Sequence, residues 1–415
     1  MAEIERIETC RGCGTQDIKP VFDLGRQPLA DGLMPTRQAA INAPRYPLRL
    51  ALCSQCGLVQ LLETPPPQML FGTGFPYYSS VIAALVEHAR LLADDIMRQK
   101  SLGGDSLVLE LASNDGYLLQ HFHNRGIPVM GIDPASGPVA AARARGIETI
   151  EGYFDEAMAE ALHARGIKAD VIVANNVLAH VPDPVGFLRG AALLLAENGI
   201  LVLEMGWARA LLEQRSFDTV YHEHHCYFTA KALLQLFARA GLTIHTMEPI
   251  DVQGGSLRVR AGHDGITDTT THALVEAETR AGVFDASCWQ QASEELIDRN
   301  ERLHALLQES KATAIRCAAY GAAAKGAMLL NLAGLGTDHL LWVADTSPHK
   351  QGRFMPGSGL EIVSPEHIQH DRPEHLLLLA WNWREEIANQ QQVWLEGGGR
   401  FVLPVPEPQL WPQVN

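Results

Sequence analysis

The sequence predicts an α/β protein built from three units, and three observations carry that expectation. Two C-x2-C pairs, Cys10/Cys13 and Cys53/Cys56, bracket a proline-punctuated stretch with little helical periodicity. From residue 77 to about 249, short apolar runs alternate with segments of helical periodicity, the mark of a doubly wound parallel sheet. From about residue 250 a second, shorter alternation follows. The expected units are a metal-binding module (1–74), a Rossmann-like α/β domain (75–249) and a smaller Rossmann-like α/β domain (250–415).

Bulk properties agree with this division. A chain of 415 residues exceeds the size at which one hydrophobic core stops growing, roughly 250–300 residues. Its composition, 47% hydrophobic and 20% charged, is that of an ordinary globular protein. The net charge of −15 opposes a broad surface for nucleic acid or anionic lipid, though not a local basic pocket for a phosphate. No apolar run reaches bilayer length and no leader is visible at the N-terminus, so the chain reads as cytosolic.

Along the first unit, CRGCG and CSQCG are cysteine knuckles, each followed by glycine, with Pro28, Pro35, Pro44 and Pro47 between them. This reads as an irregular β-rich module, ended by the Pro65–Pro67 run. In the second unit, SSVIAALVEHARLLADDIMRQK has helical periodicity with Ser79 or Ser80 as N-cap. SLVLELASNDG, PVMGIDPA, DVIVANNVLAHVPD and GILVLEMG read as four strands with their turns. The third unit opens on GGSLRVRAG, a strand, and a long helical region follows over about 269–310. AIRCAAYGAAAKGAMLLNLAG gives strand, small-residue turn and helix. HLLWVADTSP and HLLLLAWNW supply two more buried strands.

Four of the seven cysteines sit in the paired pattern. Four thiolates close a tetrahedral Zn²⁺ shell, and a shell of four sulfurs has no open position, so the zinc is expected to be structural. The plainer alternative is four reduced, packed cysteines.

LELASNDG, residues 109–116, ends a strand and opens a helix. Such a turn lets a ligand approach the backbone, and helix-terminal amides receive an anion. Asp133, at the end of the next strand, suits the hydroxyls of a ribose. These features fit NAD and S-adenosylmethionine equally, and they also fit an ordinary βα turn. They depart from the G-x-G-x-x-G pattern of dinucleotide folds.

The stretch YHEHHCYFT, residues 221–229, holds three histidines, a glutamate, a cysteine and two tyrosines. Three uses compete for it. A metal site lacks a distant partner motif, and a solvated loop would not carry so many aromatic side chains. An acid/base site fits best, because histidine titrates near neutrality and a neighbouring glutamate or tyrosine can orient it or bind an oxyanion.

ANNVLAHVPDP and LELASNDG resemble two motifs of class I methyltransferases. The order C-x2-C…C-x2-C, FPYYSS, LELASNDG, ANNVLAHVPD, FDTVYHEHHCYF, QGGSLRV, YGAAAKG, DTSPHKQGRFMPGSG, AWNW resembles, over nearly the whole chain, the zinc-containing C-methyltransferases that branch deoxysugar nucleotides in antibiotic-sugar biosynthesis.

The resemblance implies that Glu110, Ala112, Asn114, Gly116 and Asp133 line the methionine and ribose of S-adenosylmethionine. Ala112 stands where such enzymes usually carry glycine. Phe154 and Asp155 would lie near the adenine, and Asn175, Asn176 and His180 under the methionine end. The implied substrate is a nucleoside-diphosphate 4-keto sugar. His224 would remove the C-3 proton, with Tyr221 and Tyr77 or Tyr78 stabilising the enolate. Glu223 would orient His224 or hold a sugar hydroxyl. Lys325, Lys350 and Arg353 would bind the diphosphate, and Trp381 would stack on the base. The rival expectations are O- or N-methylation, NAD-dependent oxidoreduction, and an inactive zinc-ribbon binding protein.

Overall fold

The structure is a computed structural model that describes residues 4–70 and 77–412. The expected 74/75 boundary, with Phe75, lies outside the described residues. The N-terminal unit contains β1 (Glu5–Arg6), β2 (Ile18–Pro28), β3 (Arg45–Cys53), β4 (Val59–Leu61) and β5 (Glu63–Thr64). β2, β3 and β4 form an antiparallel sheet, and β1 pairs with β5 beside it. β2 is irregular where its register against β3 shifts after Pro20 and after Asp23.

The middle unit contributes β6 (Val108–Leu111), β7 (Val129–Asp133), β8 (Thr149–Glu151), β9 (Ala169–Asn175) and β10 (Leu195–Gly206). These are parallel to one another. β6, β7, β9 and the second half of β10 are buried almost without interruption, because helices cover both faces of such a sheet. Two further strands complete it, β12 (Thr243–Ile250) and β13 (Ser256–Gly262), giving the order β12-β13-β10-β9-β6-β7-β8. β13 is the GGSLRVRAG strand expected to open the third unit. It instead inserts antiparallel between β10 and β12. Leu257, Val259 and Ala261 are fully buried on its inner face. This apolar alternation needs a sheet to cover it, and the middle sheet is the one within reach.

One strand of the middle stretch leaves its own sheet. β11 (Cys226–Tyr227) pairs antiparallel with β4, so the N-terminal sheet runs β11-β4-β3-β2. The next residue, Phe228, bridges to Trp207 at the end of β10, and the Ala208 N–H donates to the Phe228 carbonyl. The histidine-rich stretch is therefore held between two sheets.

The expected long helix of the third unit is two, Thr269–Arg280 and Ala286–Ala312, separated at Gly282 and restarted by an Asp285 N-cap. The last sheet contains β14 (Cys317–Tyr320), β15 (Val343–Ala344), β16 (Ile362–Val363), β17 (His375–Leu378), β18 (Arg400–Leu403) and β19 (Gln409–Trp411). Its order is β16-β15-β14-β17-β18-β19, parallel except for the edge strand β19. Both large sheets reverse direction beside their first strand, at β6/β9 and at β14/β17. Open α/β sheets bind ligands in the crevice outside such a switch point. Among the described residues, no helix is long and apolar enough to cross a membrane.

Candidate active site and zinc centre

The four cysteine sulfurs converge. Cys10 Sγ lies 3.6 Å from Cys56 Sγ, and Cys13 Sγ lies 3.5 Å from Cys53 Sγ. All four sulfurs fall within 4.8 Å of one another, and among the described residues this is the one group of His, Cys, Asp and Glu side chains close enough to hold a metal. A tetrahedron with Zn–S bonds of about 2.3 Å has edges of about 3.8 Å. The cluster suits zinc, and with four sulfurs it leaves no open coordination position. Among the described residues, the histidines of the 221–229 stretch form no metal group.

The β6 turn is built for close backbone approach. Ala112, Asn114 and Gly116 all adopt left-handed φ, at 60°, 49° and 77°. A Cβ at Gly116 would fall 2.4 Å from Ile147 Cδ1, so glycine is required there. Asp133, at the end of β7, accepts from the backbone N–H of Asn114 (2.9 Å) and of Ala135 (2.8 Å). Burial nevertheless raises its pKa to about 6. Glu110 is buried with Oε2 unpartnered, and burial next to Asp133 and Asp115 pushes its pKa well up. Asn114 ties in the following segment: Oδ1 accepts from Ser79 N–H (2.8 Å), and Nδ2 donates to the Tyr77 carbonyl (3.1 Å).

Asn175 ends β9 across the switch point, buried with Oδ1 unpartnered. Asn176 follows at φ 54° and donates its N–H to the Glu204 carbonyl. Phe154 packs edge-on against Phe187 with centroids 5.2 Å apart. Asp155 is exposed, and its carboxylate caps the helix Glu156–Ala164 through Met158 N–H.

Ala112 carries a testable cost. A non-glycine residue in the left-handed region is disfavoured by roughly 1–2 kcal/mol, and glycine returns roughly 0.4–1 kcal/mol of that to the unfolded chain. Ala112→Gly should therefore raise the melting temperature modestly, for a gain of about 0.5–1 kcal/mol. An unchanged or lower melting temperature would show that the turn is not strained.

Within YHEHHCYFT, position in the chain does not predict partner. His224 Nδ1 lies 3.0 Å from the Thr219 carbonyl and Nε2 lies 3.0 Å from the Tyr221 hydroxyl. Nδ1 must carry the proton to meet a carbonyl, so Nε2 accepts from Tyr221. Burial, with His180 and His225 close by, depresses the His224 pKa well below 6.5 and keeps the ring neutral at pH 7. His180 Nδ1 donates to the Glu223 carbonyl (2.7 Å), and its ring lies 4.7 Å from that of His224. His222 turns the other way, to the Pro47 carbonyl at 3.1 Å. His225 is fully buried. The Glu223 side chain accepts from the backbone N–H of Asp31 (3.2 Å), and no bond from it to His224 is present.

Tyr77 and Tyr78 separate. Tyr77 lies in the field of Asp31 and Asp115, and burial with those charges raises its pKa to about 12. Tyr221 feels both Asp31 and Tyr77. Tyr78 instead stacks on His349, centroids 4.0 Å apart, with its hydroxyl against Gly137. Of the two tyrosines, Tyr77 is the neighbour of the Tyr221–His224 pair.

The four cationic and aromatic residues expected around a nucleotide fall into two places. Lys325 Nζ lies 3.7 Å from the Trp381 ring centroid, donates to Asn382 Oδ1 (2.8 Å) and lies 3.8 Å from Asp218 Oδ2. Trp381 Nε1 donates to that same oxygen at 2.7 Å. Burial lowers the Lys325 pKa to about 8. This pair ties the third unit to the 217–219 turn. Arg353 donates to the Leu33 carbonyl (2.7 Å), and Phe354 bridges to Met34, so this loop is bound to the N-terminal unit. Lys325 and Trp381 follow β14 and β17 directly, at the β14/β17 switch point, and Lys350 reaches it from the loop after β15. Its Nζ donates to the Ala322 carbonyl (2.8 Å) and lies 3.8 Å from Asp345 Oδ2.

Sequence reasoning missed Asp31, Asp218, Thr219 and Asp345. Asp31 stands in a loop outside every motif; Asp218, Thr219 and Asp345 stand at the start of FDTVYHEHHCYF and DTSPHKQGRFMPGSG, where their residue types alone do not name their partners.

A class I Rossmann-like sheet with a glycine-assisted turn and an acidic second strand end, joined to a four-cysteine module, defines a zinc-containing, S-adenosylmethionine-dependent methyltransferase. Family models agree in the same order. Residues 10–71 match a zinc binding domain, 85–247 a methyltransferase domain, and 251–406 a C-methyltransferase C-terminal domain. The C-methyltransferase NovU of Streptomyces niveus is 35% identical over 414 residues, 99% of this chain and 98% of that protein. The chain belongs to this C-methyltransferase family. A ubiquinone biosynthesis O-methyltransferase of Ruegeria pomeroyi is 28% identical over 158 residues, 35% of this chain and 62% of that protein. Among solved structures, magnesium protoporphyrin IX methyltransferase of Synechocystis with bound S-adenosylmethionine covers 43% of this chain and 79% of that one. Its TM-score is 0.34 at 15% identity; at that score the likeness carries no weight.

Proposed function

We propose that this enzyme methylates the carbon next to a ketone, C-3 of a 4-keto-deoxysugar nucleotide, by way of an enolate. The observation that carries the proposal is the neutral His224 with Nε2 on the Tyr221 hydroxyl. A neutral imidazole whose other nitrogen is held by the Thr219 carbonyl is oriented to accept a proton. A carbon acid beside a ketone needs such a base, whereas a ready nucleophile such as an amine does not.

In this reading Tyr221 and His224 act as one unit. The phenol oxygen takes the carbon-bound proton as its own proton passes to Nε2, and Thr219 holds the imidazolium that forms. Tyr77 donates to the enolate oxygen. Glu110, Ala112, Asn114, Gly116 and Asp133 would hold the cofactor on one side of the β6/β9 crevice, and Asn175, Asn176 and His180 on the other. When bound, S-adenosylmethionine supplies an electrophilic methyl group, which the enolate carbon takes. Zinc takes no part in the chemistry. Lys325 and Lys350, both at the second switch point, would meet a diphosphate there.

Titration calorimetry tests this first with S-adenosylhomocysteine and then with thymidine diphosphate. Binding of both, each without displacing the other, is the expected result. Incubation with a 4-keto-deoxysugar nucleotide should then add one methyl group, located on carbon by NMR. A methyl group found on oxygen would overturn the reaction, and no thymidine diphosphate binding would overturn the substrate class.

A further inference from the structure

Glu223 is a buried carboxyl group with an unexplained surrounding. It is 2% exposed, its Oε2 has no partner, and its Oε1 accepts from the backbone N–H of Asp31, 192 residues away in sequence, with the N–H groups of Ala30 and of Glu223 itself also acting on the carboxyl group. An ionised carboxylate in such a place would keep one oxygen buried without a donor. The groups around it come from every unit of the chain. Asp31 arrives on the loop after β2, Tyr77 on the segment before the helix Ala83–Gln99, and Tyr221 and Tyr227 flank Glu223 on its own stretch. His180 meets its carbonyl, and His224 follows it. Lys350 acts on Asp31 and not on Glu223; burial pushes the Asp31 pKa up, and the Lys350 charge opposes that rise. The Asp31 loop is fixed against the Lys350 loop by the Arg353 bond to Leu33 and by the Met34–Phe354 bridge.

We propose that Asp31 is a positioning residue of this active site: its charge, set between Lys350 and Glu223, keeps the Glu223 carboxyl group protonated, so that Glu223 meets the substrate as a hydrogen-bond donor to an acceptor oxygen. Two carboxyl groups packed together do not both ionise, and the one without a cation keeps the proton. Burial and the Asp31 charge together hold the Glu223 pKa up at about 8, which agrees. A neutral acid beside Tyr221 would add a donor for a carbonyl or enolate oxygen. This replaces the role of hydroxyl acceptor expected for Glu223, and it rests on the proposed ketone chemistry only for the identity of that oxygen.

Infrared difference spectroscopy on the full-length zinc protein tests it without any substrate. At pH 7 the wild-type spectrum should contain the C=O stretch of a protonated carboxyl group that Glu223→Gln removes. Titrating that band in Asp31→Asn, which keeps the backbone N–H, should move its midpoint to lower pH by at least one unit, because a neighbouring negative charge has been removed. The alkaline limb of kcat/KM should move by the same amount, while affinity for S-adenosylhomocysteine is unchanged. No such band in the wild type, or a band whose midpoint Asp31→Asn leaves in place, would overturn the proposal. Methylation at oxygen instead of carbon would overturn the ketone chemistry and leave the infrared result standing.

Discussion

Replacing His224 with glutamine is expected to lower methyl transfer by about 10²–10⁴-fold, the usual contribution of a general base, and to leave S-adenosylhomocysteine binding intact. Glutamine keeps a polar group between Thr219 and Tyr221, so the loop retains its packing, but it cannot take up a proton at neutral pH. The two readouts separate a chemical role from a structural one. Retention of full turnover would remove His224 from the mechanism, and loss of both readouts would mark it as structural. The sign of the pH dependence is also set. Surroundings that disfavour the imidazolium lower the His224 pKa, so the base form is already present at pH 7 and persists below the usual value of 6.5. The acid limb from this residue should therefore lie below pH 6.5. A limb at 7 or above would point to another group.

Removing the zinc should abolish turnover although the metal does no chemistry. Structural zinc contributes about 10–16 kcal/mol in small zinc-folded peptides, comparable to the whole stability of a typical domain, about 5–15 kcal/mol. Chelation, or Cys53→Ser, is expected to unfold the β2–β4 sheet. The catalytic stretch depends on that sheet: β11 pairs with β4, the Leu61 N–H donates to the His225 carbonyl, and His222 meets the Pro47 carbonyl. The β6/β9 crevice does not contain these strands, so S-adenosylhomocysteine should still bind. Metal analysis should find one zinc per chain, lost together with turnover. A metal-free protein that retains full activity would refute this coupling.

Local patterns carried much of this in the sequence. Two C-x2-C pairs place four sulfurs within reach of one ion because each spacing is a single turn. The strands β6, β7, β9 and β10 were legible because burial on both faces demands continuous apolar runs. Asp133 was legible as the acidic end of such a run. Adjacency in sequence, by contrast, said nothing of partners in the 221–229 stretch. There His222, Glu223 and His224 face a zinc-module strand, the Asp31 loop and Tyr221 in turn.

What the sequence by itself determined is the chemistry available: a thiolate metal centre, a cofactor turn with an acidic ribose partner, and a cluster of bases, each written in a short local pattern. What only the tertiary structure decided is which groups meet. β13 joined the middle sheet rather than the last, β11 joined the zinc module, Lys325 and Trp381 closed on Asp218, and Asp31 came to lie on Glu223. These pairings span tens to hundreds of residues. They arise because an apolar strand face must be covered and a buried charge must find a partner, and neither requirement says where in the chain the answer lies.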